Sequence, residues 1–200
     1  HVNAQKLARE ACQIEIDILK KPIGKQDQYI AAYGGFQYIQ FNSNDSIYVD
    51  PIICKTEVKK LLEKRLLLFY TGITRSADPI LARQTRNLAT DKTKRKTMGK
   101  MVGLAQEMRD ALRKNNINSF GKQLHENWLL KRKMAEGVTN NKIDKWYKIA
   151  LENGAEGGKV LGAGGGGFLL LYAPLPKHNK IIRALPELRL VNFKFEPQGS

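Results

Sequence analysis

Cysteine is scarce, with Cys12 and Cys54 the only two in 200 residues. They are far apart and outside any Cys-x-x-Cys or Cys/His ligand spacing, which excludes a disulfide framework and a zinc site and leaves two mostly buried thiols as the expectation. Long apolar runs are missing as well. No stretch approaches the roughly 20 residues that cross a bilayer, and the amphipathic N-terminus lacks the apolar run and cleavage site of a signal peptide, so a soluble cytoplasmic chain is expected. There is no Gly-Lys-Ser/Thr phosphate loop, no GxGxxG opening a helix, no serine or cysteine nucleophile motif and no solenoid repeat. Acidic residues are in the minority, 19 against 34 Lys and Arg, for a net charge of +15. Such an excess suits nucleic acid, an anionic membrane surface or a phosphorylated small substrate. The densest run, Lys92-Thr93-Lys94-Arg95-Lys96, has no interleaved aromatics of the kind that stack single-stranded bases, and reads as a solvated helix face.

What is present is enough apolar content, 42%, for one sizeable core or a large domain with a small neighbour. Leu7, Ala11, Ile14 and Ile18 make one helical stripe over residues 3–19, closed by Pro22 and Gly24. Asp27 is placed to cap a short helix that runs to Tyr33 and stops at Gly34-Gly35. Phe36, Tyr38 and Phe41 alternate with Gln37 and Gln40 as a half-buried strand, and Ser46–Asp50 returns antiparallel after the turn cluster at 42–45. Leu66–Tyr70 reads as a strand buried on both faces. From Ser76 to about Leu151 the pattern is helical, with breaks near Thr90, 115–118 and 137–141. Leu104, Met108 and Leu112 form one apolar stripe there, and Leu124, Trp128, Leu129 and Met134 belong to another. A strand at Phe168–Tyr172, a short helix around His178–Leu185 and a strand at Arg189–Phe195 complete the order. The expected class is α+β, an antiparallel sheet covered by helices.

The most informative stretch is Gly162-Ala163-Gly164-Gly165-Gly166-Gly167. Five glycines in six positions permit positive φ and close backbone approach, and successive N–H groups can form an anion nest. Strand-like flanks, Lys159-Val160-Leu161 and Phe168–Leu171, hold the loop at both ends, so phosphate contact and a tight structural turn are both open. A second signal is Pro22-Ile23-Gly24-Lys25-Gln26-Asp27-Gln28-Tyr29. A carboxylate at a helix start meets unpaired N–H groups and the positive dipole end, which stabilise its anion, and it can orient or deprotonate a hydroxyl; a plain capping role stands beside that one. Phe69-Tyr70-Thr71-Gly72-Ile73-Thr74-Arg75-Ser76 runs from strand through turn to helix, and its backbone N–H groups with Thr74, Arg75 and Ser76 make a plausible anion site, with capping and a surface ion pair equally open. His125 lies beside Trp128 on a helix, with a packed ring and a ligand contact equally open.

Taken in order, these segments resemble the GHMP (galacto-, homoserine, mevalonate and phosphomevalonate) kinase superfamily, and within it the D-glycero-D-manno-heptose 7-phosphate kinases. Gly158–Phe168 is similar to the superfamily's C-terminal glycine-rich motif, which implies that Gly162, Ala163, Gly164, Gly165, Gly166 and Gly167 lie against the phosphates of ATP. Pro22–Tyr29 is similar to the segment ending in the active-site aspartate, which makes Asp27 the base or charge stabiliser for the accepting hydroxyl. Glu15, 12 positions earlier, matches the usual place of a magnesium-binding glutamate, with Glu10 and Asp17 as alternatives; Mg²⁺ takes only one or two carboxylates besides phosphate and water. The resemblance further assigns Lys25, Gln28, Thr74, Arg75 and His125 to the substrate, with Arg75 and Lys25 on a phosphate already carried by the sugar.

The resemblance implies two domains, residues 1–60 as the remnant of an N-terminal ribosomal S5 domain 2-like unit and 61–200 as the C-terminal kinase domain. It implies ATP and Mg²⁺ as cofactors and a sugar phosphate as substrate. Neither nucleic acid nor membrane is expected as a partner, and a homodimer is compatible. The superfamily's N-terminal phosphate loop has no counterpart in these residues, and both chain ends look cut, so the expectation is that this polypeptide alone does not turn over ATP. It also requires Asp27 and the 162–167 bend to converge on one pocket. The rivals are a kinase for fucose, galactose or a uronic acid, and a basic binding module whose nucleic-acid affinity would fall with salt.

Overall fold

The computed structural model describes residues 2–200, which form two compact units: one made of the chain up to Cys54 together with Lys194–Ser200, the other of Lys55–Phe193.

In the first unit, α1 (Ala4–Cys12) is capped by Asn3, whose side chain accepts from the Lys6 amide at 2.8 Å. The helix then widens into a π-helical stretch, Gln13–Ile18. That widening corrects the expected single stripe. Ala8 and Cys12 are buried with Leu7 and Ile16 beside them, whereas Ile14 and Ile18 are 52% and 66% exposed, because the extra residue in the turn rotates the later side chains off the inner face. Helix α2 (Gln26–Tyr33) packs on α1 through Tyr29 and Ala32. A hairpin, β1 (Gln37–Phe41) and β2 (Ile47–Pro51), is antiparallel with Ile39 opposite Val49 and Phe41 opposite Ile47. Its packed face carries Ile39, Ile47 and Val49 rather than the expected Phe36 and Tyr38; Phe36 instead meets Phe195 edge-on at 4.7 Å.

The second unit begins with α3 (Thr56–Arg65), which runs directly into β3 (Leu66–Tyr70). Helices α4 (Asp78–Thr90), α5 (Lys92–Arg113), α6 (Phe120–Lys131) and α7 (Asn141–Glu152) follow, with breaks where Asp91, Asn115 and Asn140 stand. The strands β4 (Gly157–Val160), β5 (Phe168–Tyr172) and β6 (Arg189–Val191) and the short α8 (His178–Ala184) complete it. The sheet is antiparallel in the order β4-β5-β3-β6.

Leu67, Phe69, Val160, Leu169 and Leu171 point from this sheet into a core shared with Trp128, Ile143, Trp146 and Ile181. The opposite face is only partly covered, so Leu66, Leu68 and Tyr70 are half-buried and β3 is not the doubly buried strand expected. Tyr172 is the exception on that face: its ring packs on Phe120 at 5.3 Å, and its hydroxyl accepts from Arg65 at 2.9 Å and donates to the Ile117 carbonyl at 3.2 Å. Leu104, Leu112, Leu124, Trp128 and Met134 are buried as core, but Leu129 faces solvent.

Strand β6 ends at Val191, not Phe195: it pairs with β3 only along Leu68–Tyr70, and Phe195 belongs to the other unit. Part of the basic run ties helix ends. Arg95 donates to the Leu88 and Ala89 carbonyls at 2.8 and 3.0 Å and Lys94 to the Lys133 carbonyl, leaving Lys92 and Lys96 on the solvated face. Cys12 is buried and Cys54 half-buried, neither in a disulfide; burial pushes the Cys12 thiol up. Among the described residues no helix is long and apolar enough to cross a membrane.

Candidate active site

Within the second unit the glycine turn joins β4 to β5, and the closing pair Leu161 N–H to Phe168 carbonyl at 2.9 Å shows that the turn continues a strand pairing. Gly162, Gly164, Gly165 and Gly167 have φ of +65, +98, +69 and +76°, a backbone that side chains with a Cβ rarely adopt. Three segments brace it. From the β3–α4 loop, buried Thr71 donates both its N–H and its Oγ1 to the Gly167 carbonyl at 2.9 Å, and the Gly167 N–H donates to the Ile73 carbonyl at 2.8 Å. From the α6–α7 connection, the Val138 carbonyl accepts from the Gly165 N–H at 2.7 Å. Asn140 caps α7, accepting from the Lys142 and Ile143 amides at 3.1 Å, and donates its own Nδ2 to the Gly165 carbonyl at 3.1 Å. Lys131, at the end of α6, donates to the Gly162 carbonyl.

Arg75 is the largest brace. Its Nε and one terminal nitrogen reach the Gly164 carbonyl at 3.3 and 2.9 Å, and the same nitrogen donates to the Gly137 carbonyl. Partial burial pulls its guanidinium below the usual value. Thr74, Arg75, Ala163, Gly164, Gly166 and Gly167 share the wall of one cavity of about 230 Å³. The backbone amides of Ala163, Gly164 and Gly166 make no hydrogen bond to the described residues. Carbonyls held from behind and amides left in front are what an anion nest requires.

Thr71, Asn140 and Val138 escaped the sequence reading. Asn140 could have been found as a helix cap three residues before buried Ile143, but its second bond to a loop 25 positions away leaves no local trace.

His125 is not on that cavity. Its Nδ1 is 2.7 Å from the Tyr147 hydroxyl, and the two rings stack at 5.8 Å with 6° between planes. Burial drives the Tyr147 phenol far above its ordinary value. Lys159, on the strand entering the turn, is pushed below the usual lysine range by burial. A cation disfavoured by burial costs stability while it is charged in both states, and that cost disappears once lysine is neutral in both. Lys159→Met is therefore expected to raise Tm at pH 7, with the gain shrinking as pH rises toward about 10.4, the ordinary lysine value, and gone above it; thermal unfolding over pH 7–11 checks it.

In the first unit, Glu15, Asp27 and Gln28 line one cavity of about 370 Å³. Helix α2 starts at Gln26 with Lys25 in the capping position, so Asp27 sits inside the first turn and does not cap the helix as expected; it remains at the positive end of the helix dipole. Gln28 is buried, donates its amide to the Glu15 carboxylate, and keeps its Oε1 without a partner. The π-helical stretch carries Glu15 to this position, half-buried, while Glu10 and Asp17 are exposed and do not line the cavity. Lys25 pairs with Asp45 at 3.2 Å. No group of three or more His, Cys, Asp or Glu side chains could hold a metal ion among the described residues.

Residues 108–188 match the family model "GHMP kinases C terminal". By that match, the chain carries a GHMP kinase C-terminal domain. It is 32% identical over 195 residues, 96% of its length, to the D-glycero-alpha-D-manno-heptose 7-phosphate kinase of Campylobacter jejuni. It is 30% identical over 166 residues, 80% of its length, to the bifunctional fucokinase/GDP-fucose pyrophosphorylase of Arabidopsis thaliana, of which it covers 15%. The crystal structure of a D-glycero-D-manno-heptose 1-phosphate kinase from Bacteroides thetaiotaomicron superposes over 99% of the chain with a TM-score of 0.73 and 28% identity. The chain spans 57% of the Campylobacter protein and 54% of that crystallised chain. Both the GHMP assignment and the α+β class expected from the residue pattern are thereby established.

Proposed function

We propose that the kinase containing this GHMP chain transfers the γ-phosphoryl group of ATP to a hydroxyl of a sugar phosphate, namely the anomeric hydroxyl of D-glycero-D-manno-heptose 7-phosphate, in making nucleotide-activated heptose. The observation that carries the reading is the glycine turn, with its carbonyls tied back by Thr71, Arg75 and Asn140 and three amides left for an anion. Similarity to a heptose 7-phosphate kinase over nearly the whole chain supports the acceptor.

In this proposal the amides of Ala163, Gly164 and Gly166, with Thr74, bear on the nucleotide phosphates. Preorganised dipoles of this kind stabilise charge without reorganising during the reaction. Asp27 orients the acceptor hydroxyl and is the group to which its proton passes as the new O–P bond forms and the bond to ADP breaks. Glu15, steadied by Gln28, would hold Mg²⁺, which when bound neutralises phosphate charge. Lys25 is the cation assigned to the acceptor's own phosphate and half-buried His125 is assigned to the sugar, while Arg75, also expected on that phosphate, has its guanidinium engaged by the Gly137 and Gly164 carbonyls.

A coupled ADP-release assay on the full-length gene product, run over sugars and sugar phosphates, tests the reading. Heptose 7-phosphate should give the highest kcat/KM. A second reading, a kinase for an unphosphorylated sugar such as fucose, is favoured by the likeness to the Arabidopsis protein and would be established by preference for the free sugar. Arg75→Ala is a poor discriminator between the two, because losing its bonds to Gly137 and Gly164 would loosen the nucleotide side as well. Lys25 has no such second duty.

A further inference from the structure

The start of α2 separates two cavities. Asp27 and Gln28 open on the one that also holds Glu15; Lys25 and Gln26, their immediate neighbours, open on another of about 380 Å³, closed by Phe41, Asn42, Asp45 and Ile47 of the hairpin. The second cavity has the mixed lining that a polyol needs: an apolar wall from Phe41 and Ile47, amides from Gln26 and Asn42, and one ammonium group.

Its hairpin side is cross-linked by side-chain hydrogen bonds. Gln40 donates to Asn42 at 2.7 Å, Asn42 to Ser46 at 3.0 Å, and Ser46 to Asn44 at 2.6 Å, while Phe41 is held edge-on against Tyr29 at 6.1 Å. That network presents Asp45, at φ +62°, to Lys25. The Asp45 side chain is 92% exposed, and an ion pair so placed contributes at most about 1 kcal/mol. A phosphate dianion brings more charge and three acceptor oxygens to the same ammonium, so it displaces a solvated carboxylate.

We infer that this second cavity holds the phosphorylated, non-reacting end of the acceptor. Lys25 exchanges Asp45 for the phosphate, Phe41 takes the C–H face of the sugar chain, and Gln26 and Asn42 bond its hydroxyls. Asp45 is then an internal competitor that screens out acceptors without an anionic end. The inference rests on the sugar-phosphate kinase reading above and adds to it the acceptor's orientation, reacting end toward Asp27 and anionic end toward the hairpin.

The test uses the full-length gene product and two substrates, heptose 7-phosphate and the same heptose without phosphate, and reads the ratio of their kcat/KM values. Lys25→Ala should cut the preference for the phosphorylated sugar roughly 10–100-fold, the worth of one charge-assisted contact, mainly through KM. Lys25→Arg should restore most of it, and Asp45→Asn should raise it about threefold, as expected for losing a pair of under 1 kcal/mol. An unchanged ratio in Lys25→Ala, or a lowered one in Asp45→Asn, overturns the inference while leaving Asp27-dependent kinase activity in place. A wild-type enzyme that prefers the free heptose overturns the sugar-phosphate reading and this inference together.

Discussion

Asparagine in place of Asp27 is expected to lower kcat of the full-length kinase by about 10²–10⁴-fold, the range removed when a positioned proton acceptor is lost. The substitution keeps the size and hydrogen-bonding reach of the side chain and deletes its charge and its ability to take a proton. Asp27 is solvent-exposed in the first turn of α2 and makes no capping bond, so the fold has little reason to respond. A lost charge–dipole contact at such a site is worth about 0.3–1 kcal/mol. The expected signature is a collapse of kcat with KM values and Tm nearly constant, read by coupled ADP release and thermal unfolding. Turnover within tenfold of wild type would remove Asp27 from the chemistry and, with it, the carboxylate cavity from the active site.

Gly164→Ala should destabilise the second unit strongly. Gly164 has φ +98°, and an added Cβ would lie 2.5 Å from the Val138 carbonyl oxygen, which is itself fixed by the Gly165 amide. The left-handed backbone costs roughly 1–2 kcal/mol for a residue with a Cβ, and overpacking against a backbone atom roughly 1–3 more. The sum corresponds to a fall in Tm of roughly 5–15 °C for a chain of this size. Gly162→Ala is the internal control. Its φ is +65° but nothing lies within 4 Å of the new atom, so only the backbone cost applies. Equal Tm losses for the two substitutions would show that contact with the 137–140 segment does not support the turn. In the full-length protein Gly164→Ala should also raise KM for ATP, because moving the Val138 carbonyl shifts the amides proposed to bear on the phosphates.

Elements with a strong local period were legible before any coordinates. The breaks between α4, α5, α6 and α7 fall where Asp91, Asn115 and Asn140 interrupt the helical stripes, and the β3 and β5 apolar runs pair residue for residue. Misreadings arose where a local pattern met a non-local constraint. Ile14 and Ile18 fit the helical stripe, yet a π-helical widening turned them outward and brought Glu15 in. Phe193 to Phe195 alternates like a strand, but the chain leaves β3 after Val191 and Phe195 packs in the other unit against Phe36. Phe36 and Tyr38 are larger than Ile39, yet register with β2 put Ile39 on the packed face.

Sequence alone determined the chemistry that is available: a polyglycine turn framed by strands, a carboxylate at a helix start, and a family likeness carried by four ordered segments. Those signals lie within a dozen neighbouring residues, where backbone sterics and periodicity act. Only the tertiary structure decided that Arg75 braces the glycine turn, that Asn140 bonds it from another helix, that His125 stacks on Tyr147, and that Lys25 faces Asp45 across a cavity separate from that of Asp27. Each of those is a meeting of side chain and partner many positions apart, and a hydrogen bond of that reach is chosen by packing, which no local pattern encodes.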